Sequence, residues 1–464
     1  MKKFSFITLA TTVLSVSALA GCGGSSKPVI SIWVGNETGV VSFYQKTVDA
    51  FLEKEGLNFK AQVKGTDLGS IAGTILNDPS ACADIYSVAH DNIGKLATNS
   101  CARPFTEESL LTQIEADNAK SFVDVTKVVV NEKQYTFAAP YISQALFLMY
   151  DTRYVSAEQA QSFEGLEAAA AAASVTLGKT VKSSYVVGTD GFNFAFPILA
   201  LENETKTSTV KLYDNESTND GNVWCQGDDT VAVTKYLRNS KARANGFGFP
   251  SDAGWVLDIQ NNLAVSLIGG AWHYESFASA VGKENVGMTL IPTLTLTAAD
   301  AFGTAVAGTT YRGGTFADCK VLMINSKADK SKLEAEQKIV KYLSSMEVQK
   351  LAFKSVGVVP AYKSFNSSDA EFADVDKSSV NLAAAQIGMN EYGRPQPFTT
   401  TKLNNYYYQM GAPEAYLAIV NNDKGAYSTD RKVQEGLYSV QYIWQNGEKP
   451  SSIPEVLPAT QVKK

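Results

Sequence analysis

The segment VISIWVG, Val29 to Gly35, is an almost unbroken run of apolar and β-branched residues with a turn signal behind it. A strand that shows one face to water alternates polar with apolar residues, so this run reads as a strand covered on both faces. Residues 41–55 follow with apolar side chains at helical spacing and stop at Gly56, a sensible C-cap position. Asn58 to Lys64 reads as a second strand and Asp84 to Ala89 (DIYSVA) as a third, with a helix from about Asn92 to Thr98 behind it. Strand alternating with helix from the start predicts an α/β lobe on a mainly parallel sheet.

The pattern continues downstream. Ala145 to Tyr150 (ALFLMY) reads as another buried strand and leads to the alanine-rich helical stretch Glu167 to Ala173. The polar, turn-rich residues 203–229 read as a surface excursion. Strands are expected at Ala264 to Ile268, Val286 to Pro292 and Lys320 to Ile324, and a single helix from Lys332 to Lys354 before the turn Gly357 to Pro360. The last hundred residues read as helical, Tyr406, Tyr407 and Tyr408 opening one helix and Val433 to Trp444 forming another.

Upstream of Val29, Lys2 and Lys3 precede an apolar run, Phe4 to Ala20, that is too short and too rich in Ser and Thr to span a membrane. It reads as a signal peptide, residues 1–21. Its end, Leu19-Ala20-Gly21-Cys22, resembles the bacterial lipobox, which implies an acylated Cys22 as the mature N-terminus and residues 22–28 as a flexible tether. Removing 21 of the 464 residues leaves 443, more than one core usually serves, so two lobes are expected. Losing Lys2 and Lys3 takes the formal charge from −6 to −8, and no Lys/Arg block remains, which argues against nucleic acid as a partner. No second long apolar stretch is present, so the lipid is the expected membrane contact. Cys82, Cys101, Cys225 and Cys319 show no CxxC or other metal spacing, so neither metal nor cofactor is expected. Cys82 and Cys101 flank a strand and helix that return to one edge, and they read equally as a bridge or as two small buried thiols.

With two histidines, His90 and His273, and no GxSxG, HExxH, Walker or GxGxxG pattern, the chain lacks the usual equipment of an enzyme. That favours binding over catalysis. The alternatives are a secreted glycan-active enzyme, which needs two carboxylates at catalytic separation, and a surface adhesin, which needs a large exposed patch.

A more specific resemblance runs along nearly the whole mature chain. Ala83-Asp84-Ile85-Tyr86, Ala89-His90-Asp91 and Ile93-Gly94 are followed by Pro140-Tyr141, Ala145-Leu146 and Leu148-Met149-Tyr150-Asp151. Gly269-Gly270-Ala271-Trp272, Val286-Gly287, Ile291-Pro292, Gly313-Gly314, Gly357-Val358-Val359-Pro360-Ala361 and Lys402-Leu403-Asn404-Asn405-Tyr406-Tyr407 come next. In this order the motifs resemble the extracellular family 1 solute-binding proteins of the maltose/maltodextrin type.

The resemblance implies an α/β, two-lobed periplasmic-binding-protein-like fold of type II, each lobe a mainly parallel sheet flanked by helices. The N-terminal lobe would take 29–143 and about 320–365, and the C-terminal lobe 144–319 and about 366–464. It implies a monomeric lipoprotein on the extracytoplasmic face of the cell membrane that closes on a sugar and presents it to the transmembrane subunits of an ABC importer. A sugar offers an apolar C–H face to aromatic rings and a rim of hydroxyls to polar groups, so its site needs both. By motif position Trp272 and Tyr407 would stack on the ligand, and Asp91, Gln144, Asn36, Glu37, Asn193 and Phe194 would surround it. Asp91 also reads as a helix N-cap, Asn36 and Glu37 as a plain turn, and Trp272 and Phe194 as core.

Overall fold

The computed structural model describes residues 27–186, 202–203, 213–215, 220–223, 227–250, 254–390, 392–394, 406–407 and 410–457. The expected signal peptide, Cys22, Asn193 and Phe194 lie outside the described residues.

VISIWVG is the strand Val29–Gly35. It lies parallel between Lys60–Thr66 and Ile85–Ala89, with Ile32 level with Val63 on one side and Ile85 on the other. The sheet goes on through the long strand Thr315–Asn325, which pairs with Ile85–Ala89, Ala138–Ala145, Ala102–Arg103 and Gly393–Arg394. Both faces are covered. Ile30, Ile32, Val34, Leu322 and Ile324 share a core with the helices Val40–Lys54 and Leu333–Leu343. Tyr86, Val88, Cys319, Val321 and Met323 share another with Ile71–Asn77 and Ile93–Thr98. Period-two alternation thus sends neighbouring residues of the long strand into two different cores, which is why its sequence shows no simple polar stripe.

A second sheet runs in the order Val286–Thr289, Phe147–Asp151, Ser266–Gly269, Tyr185–Val186. The largest core joins it to Phe163–Leu177, Asp228–Ala242, Lys377–Asn390, Ala412–Asn421 and Asp430–Asn446. Most strands of each sheet point one way, as expected. The exceptions are Thr315–Asn325 with its short parallel neighbour Gly393–Arg394, and Phe147–Asp151. Phe147–Asp151 and Thr315–Asn325 are the strands by which the chain arrives from the other lobe. A chain that crosses over enters a sheet at the edge nearest its partner and must run against the strands that end there. The carboxyl ends of Val29–Gly35, Ile85–Ala89 and Ala138–Ala145, and those of Tyr185–Val186, Ser266–Gly269 and Val286–Thr289, therefore all lie on the crossing side, where open α/β sheets bind ligands.

Two expected elements are divided. ALFLMY straddles the crossing: Ala145 pairs with Ala317 in the first sheet, and Phe147 pairs with Gly269 in the second. The expected helix from Lys332 to Lys354 is two helices, Leu333–Leu343 and Met346–Val356. Ser345 takes an extended conformation between them and its side chain accepts from the Val348 amide, offering the backbone a cap in place of a continued helix. Cys82, Cys101 and Cys319 are free thiols, and burial raises the pKa of each.

Glu336, on the first of these two helices, is fully buried with neither carboxyl oxygen hydrogen-bonded among the described residues. Burial, with Asp84 nearby, pushes its pKa up to about 7 against the pull of Arg103 and Lys332. The folded state therefore holds this proton more tightly than the unfolded chain, and stability contributed by the protonated form is lost as pH rises from the ordinary carboxylate range through 7. Glu336→Gln should remove that slope, making the variant more stable than the parent above pH 7 by roughly 1–3 kcal/mol while the two converge near pH 4. Urea unfolding at several pH values reads this directly, and parallel pH profiles would show that Glu336 stays ionised.

Candidate functional site

Three segments of the first sheet reach the crossing side. After Val29–Gly35 come Asn36 and Glu37, both exposed. Glu37 folds back over the strand end so that its Oε1 accepts from Lys320 Nζ at 2.7 Å. Burial raises the Glu37 pKa, but the Lys320 charge and hydrogen bond outweigh it and hold the carboxyl below its ordinary value. After Ile85–Ala89 come His90 and Asp91 in a single 3-10 turn ahead of the helix Ile93–Thr98. Neither the turn nor the helix carries a side-chain cap, so Asp91 does not serve as an N-cap, and its Oδ1 accepts from Asn92 Nδ2 at 3.0 Å. His90 is buried, with Nδ1 3.4 Å from Asp318 Oδ1. In the third place, just before the crossing, half-buried Gln144 stands opposite Asp318 in the ladder. Beneath this rim Tyr141 is fully enclosed, its hydroxyl 2.7 Å from Ser87 Oγ, and so belongs to the core.

On the other lobe the strand Ser266–Gly269 ends in Gly270, Ala271 and Trp272. Trp272 is 40% exposed, unusual for so large an apolar ring. The two glycines matter through space. A Cβ on Gly270 would lie 2.3 Å from the indole and one on Gly269 2.5 Å from His273 Nδ1, so both rings rest on bare backbone. His273 in turn meets Trp255 edge-on at 5.4 Å and Trp272 at 5.6 Å, supporting the indole from behind. Because Gly269 pairs with Phe147, two residues beyond Ala145, this loop sits close to the crossing that carries Gln144.

The expectation for Tyr407 is corrected. Its ring is wholly buried, 4.5 Å from Trp444 and 5.7 Å from Phe316, in the core of the C-terminal lobe. Helical Tyr406, half-buried, lies against Gly447 at the end of Asp430–Asn446, and Tyr408 lies outside the described residues. Three tyrosines in a row place rings about 100° apart around a helix, so one of them turns inward, and the sequence does not say which. Lys320 and Asp318 were missed. The available sign was two charges at alternate positions of an otherwise apolar strand, TFADCKVLMIN. Among the described residues no group of His, Cys, Asp and Glu is arranged to hold a metal, and no helix is long and apolar enough to cross a membrane.

Two α/β lobes, a shared crossing, and an exposed indole on one lobe with a polar rim on the other define a two-lobed binding protein of type II. The family model for bacterial extracellular solute-binding proteins matches residues 46–377, and the chain belongs to that family, whose members bind solutes rather than transform them. A maltooligosaccharide ABC transporter solute-binding lipoprotein of Streptococcus pneumoniae is 22% identical over 411 residues, covering 84% of this chain and 87% of that protein. A maltodextrin-binding protein from L. casei BL23, solved without ligand, superposes with a TM-score of 0.69 at 17% identity over 90% of this chain and 99% of that one. A Streptococcus pneumoniae protein in complex with maltopentaose gives 0.63 at 16% identity over 90% and 100%. These likenesses give the same fold.

Proposed function

We propose that the chain captures a maltodextrin-type sugar or oligosaccharide between its lobes and delivers it to the transmembrane subunits of an ABC importer. The observation that carries this reading is Trp272, a large ring held open to solvent on a glycine seat, at the same crossing as the rim of Asn36, Glu37, Asp91 and Gln144. The names of the relatives support the ligand class. In this reading the lobes are 29–143 with about 320–365 and 144–319 with about 366–464. A ligand that gains contacts from the second lobe only on closure stabilises the closed state by that difference in affinity, and the closed shape is what the importer reads. No bond is made or broken.

A thermal-unfolding series with maltose to maltopentaose tests the proposal. A ligand at one hundred times its Kd should stabilise the folded state by about 2.7 kcal/mol, with a midpoint that rises with concentration. An unchanged midpoint across the series at millimolar sugar would sink the carbohydrate reading, and release of shorter sugars would return the enzyme reading.

We further propose that Cys22 is acylated and is the only membrane contact of a monomer, so that the tether keeps the receptor at high local concentration near its importer. Mass spectrometry of the protein from a lipoprotein-processing host should find residue 22 as the N-terminus carrying a diacylglyceryl group. A free thiol at that N-terminus would exclude the anchor.

A further inference from the structure

The Glu37–Lys320 pair is built with more care than a surface ion pair needs. Lys320 lies in the middle of the long strand, level with Ala89 on one side and Ile142 on the other, so it stands one residue below the His90-Asp91 loop. Its side chain is 11% exposed, whereas that of Glu37 is 49% exposed. Two residues earlier on the same face of the strand, Asp318 is buried beside His90. In the pose that reaches Lys320, the Glu37 carboxylate lies directly over Gly35. A Cβ at Gly35 would lie 1.9 Å from Glu37 Oε2 and 2.8 Å from its Cδ, and the backbone of Gly35 is not in the left-handed region. An added Cβ would therefore push the carboxylate out of this pose, whereas the conformation of Gly35 itself makes no demand for glycine.

We propose that Lys320 is a sugar-contacting residue of the N-terminal lobe, that Glu37 is its positioning group rather than a direct ligand contact, and that Gly35 supplies the slot. This rests on the carbohydrate reading above. An ammonium carries three N–H donors, of which Glu37 takes one and at the same time neutralises the charge. The remaining donors suit a neutral hydroxyl oxygen, which brings no counter-charge of its own. The wall around them holds the carboxylates of Glu37, Asp318 and Asp91 with Lys320 and His90, so it presents no net positive field to an anionic sugar. The site should accordingly prefer a neutral glucan over its uronate or phosphorylated counterpart.

Calorimetric titration of maltotriose into the whole processed protein tests this, using Lys320→Met, Lys320→Arg, Glu37→Gln, Gly35→Ala and the Gly35→Ala/Glu37→Gln double variant. Lys320→Met should raise the Kd at least tenfold, and Lys320→Arg should restore most of the affinity. Glu37→Gln and Gly35→Ala should each raise it several-fold, and the double variant should be no worse than the weaker single, since both remove one contact. An ion pair that merely supports the fold would instead lower the urea midpoint with an unchanged Kd, and that result for Lys320→Met, or additive losses in the double variant, would overturn the proposal while leaving sugar binding intact. Failure of the unmodified protein to bind maltotriose or any longer maltooligosaccharide removes both this inference and the reading beneath it.

Discussion

Replacing Trp272 with alanine should weaken maltooligosaccharide binding by about 2–3 kcal/mol, roughly 30- to 150-fold in Kd, while leaving the unfolding midpoint nearly unchanged. The size follows from the apolar area that an indole covers on the C–H face of a sugar, with the ring's own electrostatic preference added. The absence of a stability effect follows from exposure: a ring 40% open to water contributes little to the core, and truncating it leaves Gly269 and Gly270 as they were. Trp272→Phe should retain part of the affinity, because a smaller aromatic face remains. Isothermal titration with maltotriose, alongside urea unfolding, separates the two effects. Equal Kd values for the alanine variant and its parent would remove the stacking role and with it the chief support for a carbohydrate ligand.

Tyr407→Ala should behave in the opposite way. Its ring fills space between Phe316 and Trp444 with no exposed surface, so truncation leaves a cavity in a core that joins the end of the long strand to the last helix. Large aromatic-to-alanine changes of this kind remove about 3–5 kcal/mol. The midpoint of urea or thermal unfolding should fall accordingly, and the sugar Kd measured well below that midpoint should change less than threefold. A large loss of affinity at full stability would return Tyr407 to the ligand. The pair of substitutions thus separates two aromatic residues that both matched the sugar-stacking positions of the family, one of which the fold buries and one of which it leaves open to solvent.

The strands were legible where burial on both faces left its mark on composition. VISIWVG became Val29–Gly35 residue for residue, DIYSVA overran its strand Ile85–Ala89 by Asp84 alone, and Lys320 to Ile324 fell within Thr315–Asn325. Helix ends were legible where capping chemistry is local, as with Gly56 just beyond Val40–Lys54, which does adopt a positive φ. ALFLMY misled because a buried run in one sheet and a buried run in the next have the same composition, and the break between them depends on pairing partners far along the chain. The split of residues 332–354 at Ser345 had a local sign, a serine pair, which the stronger apolar periodicity on either side outweighed.

For the site, the loops after strands could be placed from sequence because ligands gather where parallel strands end, and Asp91, Glu37 and Trp272 follow such ends directly. Whether each side chain meets solvent, a partner or a core could not be placed in that way.

The amino-acid sequence by itself determined the alternation of strand and helix and the ordered motifs of a solute-binding family, because periodicity and capping are properties of neighbouring residues, and its length called for two lobes. Only the tertiary structure decided that Tyr407 is core, that Asp318 faces His90, and that Glu37 lies on Lys320. That last contact joins residues 283 positions apart through the register of one strand against its neighbours, and register is set by the packing of the whole sheet.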